Sequence, residues 1–549
     1  MLRIKNVSAL EKVLPAMDNN APEFNEYSCL LGERFSYQVA FMGDSDWYVT
    51  ERVNITVLSD IKEYVKIYEA GCVPVITTAY PTAYDNGYIS RQSSVIPDVL
   101  TPSDGTTTVS TLCYKAIWIT VDVPKDAVCG EHTITVKFDS PVGISAESTF
   151  RLNVIGAVLP KQTMPFTQWF HADCISSYYG VKPLSEEHWL YIEKFIKIAA
   201  ENGINMLLTP VFTLPLDTKV GAERPTVQLA DVEFRNGEYT FGFEKLGRWL
   251  EICRRNGIEY IEIAHLFTQW GAEHAPKIVI KENGEYIKKF GWHTDSLSDE
   301  YMDFLAQLLP RLTEFLKDNW RSDKVYFHIS DEPSVKHAER YGKIFEFLKP
   351  YLSDFNMMDA VSHYEIYEKG YIETPVCTIR TIDEFIEHKT ENLWGYYCCM
   401  EGGGNLSNRF TAMPSYRNRI IAEQLYKYNI KGFLHWGYNF YFSQFSTKLI
   451  NPYITNDADG GFPAGDSFSV YPGTNGPLPS LRMFVFYDAL QDMRAFRLAE
   501  SLAGRKAVLE IIERRGEITF KKYPCGADYI LNVRKEINSL IKENIKNDM

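Results

Sequence analysis

Two different periodicities divide the chain. From residue 1 to about 160, short β-rich runs recur between turn signals: Phe35–Ala40, Tyr48–Val57, Ala116–Val123, His132–Phe138 and Ser148–Ile155. Thr133–Phe138 alternates apolar and polar with period two, as a strand does when only one of its faces is buried. Val121–His132 reads as a strand, a Pro/Gly turn and a second strand. This pattern predicts an N-terminal β-sandwich over 1–160, followed by a linker at Leu159–Pro165.

Beyond residue 166 the syntax changes to helices alternating with apolar runs. Ser185 is a good N-cap, with Glu186 and Glu187 in the first turn, and Trp189, Ile192, Phe195, Ile196 and Ala199 mark one helical face. Asn202-Gly203 stops that helix, and Ile204–Thr209 follows as a buried strand. The same order recurs twice. Leu246, Trp249, Leu250 and Cys253 lead through Asn256-Gly257 into Ile258–Ile263, and a third helix ends at Asn429 before Gly432–Trp436. Strands are predicted at 166–172, 205–212, 258–267, 325–331, 356–361, 374–379, 392–399 and 431–438. Eight strands separated by helices make a (β/α)8 TIM barrel over 166–500, with a helical extension over 501–549 packed on it. The fold class is therefore multidomain α/β. Connections from strand to helix are the long ones: 213–243 and 268–298 carry hairpin signals at Asn236-Gly237 and Asn283-Gly284, and 439–480 is rich in Gly, Pro and Asp. Elaboration at the C-terminal ends of barrel strands is where barrel enzymes keep their sites.

Composition narrows the partners. The 549 residues carry a formal net charge of −14 with no basic block, which argues against nucleic acid. No stretch approaches the length of a membrane span, and Met1–Val7 leads into no apolar signal segment, so a cytoplasmic location is expected. The ten cysteines show neither CxxC nor metal-ligand spacing and read as mostly buried thiols of a reducing compartment. The aromatic fraction of 14% suits a large core, but aromatics at predicted strand ends could also stack on sugar faces.

The segment with the most chemistry is Lys324–Pro333, a buried strand that ends in Asp331, Glu332 and a proline. Successive side chains at a strand end point in different directions, so two distinct roles suit them better than one shared proton. The plain alternative is helix capping, with Asp331 as N-cap and Glu332 in the first turn. Glycoside hydrolysis needs an acid at the leaving oxygen and a nucleophile, or a base for water, opposite the anomeric carbon. Glu332 is the candidate acid. Its partner is either a second carboxylate, with Glu401 after the seventh strand the nearest, or a 2-acetamido group of the substrate itself, oriented by Asp331.

Other rim candidates are His171 and Asp173 after the first strand, Asn205 opening the second, His265 near the end of the third, Trp394 and Tyr396 on the seventh, and Trp436 and Tyr438 on the eighth. Each has core packing as its alternative. His435 and Trp436 alternate, so only one of the two is expected to face the barrel interior. HExxH and close His pairs are absent, and Asp457–Gly461 lacks the downstream glutamate of a calcium loop, so no metal is expected. No glycine-rich phosphate loop occurs, and no cofactor is expected.

Ser330-Asp331-Glu332-Pro333, together with Gly465–Gly473 and Ser480-Leu481-Arg482, resembles glycoside hydrolase family 123 and its wider β-N-acetylgalactosaminidase-like relatives. The resemblance covers most of the chain. It implies a retaining, metal-free exo-hydrolase acting on an oligosaccharide or glycoconjugate with terminal β-linked N-acetylgalactosamine. In it, Asp331 stabilises the acetamido group and Glu332 is the general acid/base, with Tyr471 and Arg482 among the substrate-binding residues. The chain departs from the relatives at Tyr487-Asp488-Ala489 and Asp492, where they continue with Arg-Asp-Gly. Three readings remain open on the residues alone: substrate-assisted hydrolysis, a two-carboxylate glycosidase with a strand-seven nucleophile, and a carbohydrate-binding barrel without turnover.

Overall fold

The computed structural model describes residues 2–15, 18–44, 50–141 and 143–545. Two five-stranded sheets come first. One runs in the order Leu2–Ser8, Arg34–Gly43, Lys115–Asp122, Val65–Val75, Ser94–Pro102. The other runs Glu26–Leu31, Ser145–Val158, Gly130–Asp139, Thr50–Leu58, Thr106–Ser110. Tyr37, Val39, Phe41, Ile117 and Ile119 of the first sheet share one buried cluster with Val53, Ile134, Val136, Phe138 and Phe150 of the second. The period-two reading of Thr133–Phe138 matches its burial, with Ile134, Val136 and Phe138 inside. Of the predicted run Tyr48–Val57, Tyr48 and Val49 lie outside the described residues.

Eight parallel strands then close a barrel: Phe166–Gln168, Met206–Thr209, Tyr260–Ile263, Val325–His328, Asn356–Ala360, Thr374–Thr378, Trp394–Tyr396 and Gly432–His435. Phe166 pairs with Phe433 to close the ring. All eight lie within the predicted runs. Several of those runs extended further at their C-terminal ends, where the chain leaves the ladder to build the rim. The local signals behave as read. Ser185 Oγ accepts from His188 N at the start of helix Glu186–Glu201, and Asn236 and Asn283 take the left-handed conformation of tight hairpin turns. The two hairpins, 231–242 and 278–290, join through Asp231–Arg235 and Ile278–Glu282 into one four-stranded sheet, a pairing between loops that neither local sequence announces.

Inside the barrel, Met206, Leu208, Met358, Val376, Trp394 and Leu434 form an apolar layer. Trp394 is part of this filling and stands against Tyr326 with ring centroids 5.3 Å apart, which corrects its assignment to substrate binding. Its indole also explains Gly432, where an added Cβ would lie 2.2 Å from the ring.

The long helix Leu481–Ala503 continues past residue 500 and ends at Gly504. Helix Ala527–Ile545 contacts both it and the second N-terminal sheet. Arg534 of that helix is buried between Glu33 and Asp492, and Asp492 also receives Arg419. Arg482 is likewise buried, clamped by both oxygens of Asp98, which also accepts from Tyr471 Oη. Tyr471 and Arg482 therefore tie the barrel to the first sheet; they are not pocket residues. Their types were legible, but their partner, 384 positions away from Arg482, was not. Asp98→Ala leaves a buried guanidinium uncompensated and is expected to cost about 3–5 kcal/mol of stability, read by urea unfolding. A loss below about 1 kcal/mol would show that the pair is not holding the two units together.

All ten cysteines are free, and only four of them (Cys29, Cys174, Cys253 and Cys377) are buried, fewer than the sequence reading expected. Among the described residues, no helix is long and apolar enough to cross a membrane.

Candidate active site

A cavity of ≈390 Å³ opens at the C-terminal end of the barrel strands. Trp169, Ala360, Tyr396 and Leu434 come from the strands or the residues just beyond them. Trp436, Phe462, Cys398 and Cys399 add further lining, and three carboxyls contribute to it: Asp217, Asp331 and Glu332. A wider depression of ≈1050 Å³ lies at the other end of the barrel, beside Ile258 and Lys324. Of its acids, Glu259 pairs with Lys161 and Lys324, Asp323 with Arg321 and Asp354 with Lys317, and none of the barrel's rim carboxyls reaches it.

The fourth strand stops at His328, and the next residues are fixed one by one. Ser330 N and Oγ both donate to Asp359 Oδ2 at 3.0 Å, and Tyr341 Oη donates to the same oxygen at 2.8 Å. Asp331 pairs with Gln269 of the neighbouring rim loop, and its carbonyl accepts from Trp270 N at 2.7 Å. Glu332 has φ +50°, which turns its exposed side chain back to the rim, where Oε1 accepts from Tyr396 Oη at 2.5 Å. Asp331 caps no helix: the following turn, Val335–His337, is capped by Ser334. The capping alternative is thereby removed.

Beneath Asp331 lies a buried charged layer. His328 Nδ1 contacts Glu262 Oε1 at 2.9 Å, and Glu262 is also held by Trp169 Nε1 and Thr167 Oγ1. Burial alone would lower the His328 pKa, but hydrogen bonds and charge from Asp359 and Glu262 outweigh it and raise it to about 10. His265 packs against His328 with ring centroids 4.1 Å apart and planes tilted by 30°, and burial together with that positive neighbour holds its pKa well below the usual imidazole value. Asp331 is raised well above the usual carboxyl range by burial and by the adjacent Glu332, with His328 pulling the other way. Burial pushes Asp217 up to about 6.

The charge on His328 has a consequence for stability. A base whose pKa is raised by folding stabilises fully below its unfolded value of 6.5 and loses that contribution as pH rises to about 10. Unfolding free energy should therefore fall over that interval more steeply for the wild type than for His328→Gln. Parallel curves in chemical denaturation would refute a charged His328.

His265, His328 and Asp331 also bring ligand-type atoms within 4.8 Å of one another, a cluster from separate strands that no sequence spacing reveals. Glu262 occupies Nδ1 of His328, and the remaining Nε2 faces Asp359 Oδ1 at 3.7 Å, so these groups form one ionic network.

Of the predicted rim residues, Tyr396 and Trp436 line the cavity, and Trp436 Nε1 donates to Asp466 at 2.9 Å. His435 is buried against Arg409. His171 stands behind the wall, accepting from Arg224 and donating to the Trp436 carbonyl, while Arg224 also grips Asp173. His265 is under the floor, and neither ring nitrogen has a hydrogen-bond partner among the described residues. Tyr438 is core, its hydroxyl donating to Phe195 O. Asn205 serves the bottom of the barrel, bonding Phe166 N and Met164 O. Glu401 is buried outside the cavity, accepting from Thr378 Oγ1 and Cys398 N. Sequence reasoning missed Trp169, Asp217, Trp270 and Phe445. Trp169 and Trp270 follow strands one and three, where position alone could have nominated them; Asp217 and Phe445 sit in long loops with no motif.

No curated protein matches the chain. The architecture is similar to that of a family 123 glycoside hydrolase from Clostridium perfringens, an enzyme of glycolipid glycan hydrolysis, with a TM-score of 0.75, 15% identity and coverage of 100% of both chains. Two family 5 enzymes align far more loosely. One is a xyloglucanase from Bacteroides ovatus (TM-score 0.31, 8% identity, 89% of this chain and 100% of that one). The other is a mannosidase from Rhizomucor miehei (0.32, 12%, 60% and 93%). The profile of the glycoside hydrolase 123 catalytic domain matches residues 169–499, from the end of the first barrel strand to the long helix after the eighth. With the barrel closed around the Asp331-Glu332 rim and that profile spanning it, the chain belongs to glycoside hydrolase family 123.

Proposed function

We propose that this pocket releases terminal β-linked N-acetylgalactosamine with retention of configuration, using the substrate's 2-acetamido group as nucleophile. The carrying observation is that Asp331 and Glu332 are adjacent in one cavity yet differently housed. Glu332 is exposed at the mouth beside Tyr396, whereas Asp331 sits deeper over the His328 layer. Glu332 protonates the leaving oxygen as the acetamido carbonyl attacks C1. Water then opens the oxazolinium ring, with Glu332 now acting as base. Asp331 faces the amide that becomes positive. A carboxyl held up by burial and a like-charged neighbour gains most when a cation forms beside it, so its stabilisation is concentrated in the transition state. Trp169, Trp436 and Leu434 give the acetamido methyl an apolar wall.

The strand-seven alternative has less support, because Glu401 is not among the residues lining the cavity and accepts from Thr378 Oγ1 and Cys398 N instead. Apart from the adjacent Asp331-Glu332 pair, the carboxyl lining the cavity that a two-carboxylate route could use is Asp217. Paired substrates separate the two. The substrate-assisted route requires turnover of an aryl β-N-acetylgalactosaminide, little or none of the matching β-galactoside, and inhibition by a thiazoline mimic of the cyclised sugar. Rapid cleavage of the galactoside would transfer the nucleophile's role to Asp217, and inertness towards all β-glycosides would leave a binding barrel.

A further inference from the structure

The mouth of the cavity holds two large aromatics that the core does not use. Trp270, on the loop after the third strand, is 44% exposed, and Phe445, on the loop after the eighth, is 37% exposed. Both line the cavity that contains Asp331 and Glu332. Their rings meet edge to face, with centroids 6.3 Å apart and planes at 83°, so together they form a right-angled notch. Both residues are in the left-handed backbone region, with φ +62° and +61°, as are Ala272 and Ser446 beside them. Side chains disfavour that region, and surrounding contacts must hold them in it.

Those contacts lead back to the catalytic pair. Trp270 N donates to the Asp331 carbonyl at 2.7 Å. Phe445 N donates to Asp217 Oδ2 at 3.0 Å, and Ser446 Oγ donates to Asp217 O at 2.7 Å. Asp217 N donates in turn to Gln269 Oε1 at 2.7 Å, one residue before Trp270. One chain of hydrogen bonds thus fixes both rings relative to Asp331.

We propose that Trp270 and Phe445 form the leaving-group subsite, taking the apolar face of the sugar residue on the far side of the scissile bond. This rests on the catalytic reading above. Pyranose rings present a CH face that packs on an aromatic ring while their hydroxyls point sideways, and a notch of two perpendicular rings accepts both a face and an edge. Gln444 and Asp217 line the same cavity and supply polar atoms for such hydroxyls, which a hydrocarbon tail would leave unmatched. Asp217 is a positioning residue here, acting through the Phe445 backbone.

The test compares two substrates that share the released sugar and differ in what leaves. One is a disaccharide with terminal β-linked N-acetylgalactosamine; the other is N-acetyl-β-galactosaminyl fluoride, whose leaving group is a single atom. Trp270→Ala is expected to lower kcat/KM for the disaccharide by about tenfold. Its effect on the fluoride should stay within about twofold. Phe445→Ala should follow the same pattern, with unfolding midpoints near the wild type. Equal losses on both substrates, or no loss on either, would overturn the subsite. So would a loss confined to a glycolipid carrying the disaccharide, with the free disaccharide unaffected. A wild type that turns over neither substrate would sink the catalytic reading and the subsite with it, an outcome distinct from the others.

Discussion

Replacing Glu332 with Gln is expected to lower kcat for an N-acetylgalactosaminide with a poor leaving group by about 10²–10⁴-fold. The geometry makes this a test of chemistry rather than of folding. The Glu332 side chain is exposed, its carboxylate accepts from Tyr396 Oη, and glutamine keeps its length and an acceptor oxygen for that bond. What glutamine cannot do is give up a proton. The loss in kcat/KM should therefore shrink steeply as the leaving group improves, and a dinitrophenyl glycoside, which departs without protonation, should recover much of the first step. Hydrolysis of the cyclised intermediate would then be slow, because it needs the same side chain as base. A uniform loss across leaving groups would mean that Glu332 is not the acid.

Asp331→Asn should cut kcat by about 10²–10³-fold while KM changes little. The backbone carbonyl of Asp331, not its carboxyl, secures Trp270, so the loop stays in place. Asparagine also removes one of two neighbouring acids from a buried setting, so stability should hold or rise. The deficit should not depend on leaving-group ability, because the missing charge acts on the acetamido nitrogen and not on the departing oxygen. The contrast between the two variants is sharper than either value alone: activated substrates restore the first step, read as kcat/KM, in Glu332→Gln and leave it slow in Asp331→Asn. If both respond alike, the two carboxyls do not divide the work as proposed.

Barrel strands and the acidic pair could be read in the sequence because both are local. A helix stop such as Asn202-Gly203 followed by Ile204–Thr209 specifies its own geometry within a few residues. A strand that ends in two acids and a proline likewise announces a rim position. The rest of the pocket is assembled from loops whose meeting depends on closure of the whole barrel: Asp217 after the second strand, Trp270 after the third, Phe445 after the eighth. Four misreadings share one origin. Tyr438, Tyr471, Arg482 and Glu401 are residue types that suit a sugar site, and each is instead satisfied elsewhere: by Phe195, by Asp98, by Asp98 again, and by Thr378 together with the nearby Cys398 backbone. A sequence shows what a side chain can bond but not whether that capacity is already used. His265 and His328 illustrate the reverse, since the third strand's rim and the fourth strand bring together two imidazoles that lie 63 positions apart in the chain.

The Arg534 bridge also sets an order on biosynthesis. Glu33 leaves the ribosome 501 residues before the arginine that neutralises it inside the fold. Until helix Ala527–Ile545 is made, the edge of the second N-terminal sheet that it contacts stays open to water and to other chains, and Asp492 lacks one of its two guanidinium partners. Nascent chains arrested before that helix should accordingly be held by chaperones or cleared by proteases, even though every strand of the barrel has already been synthesised.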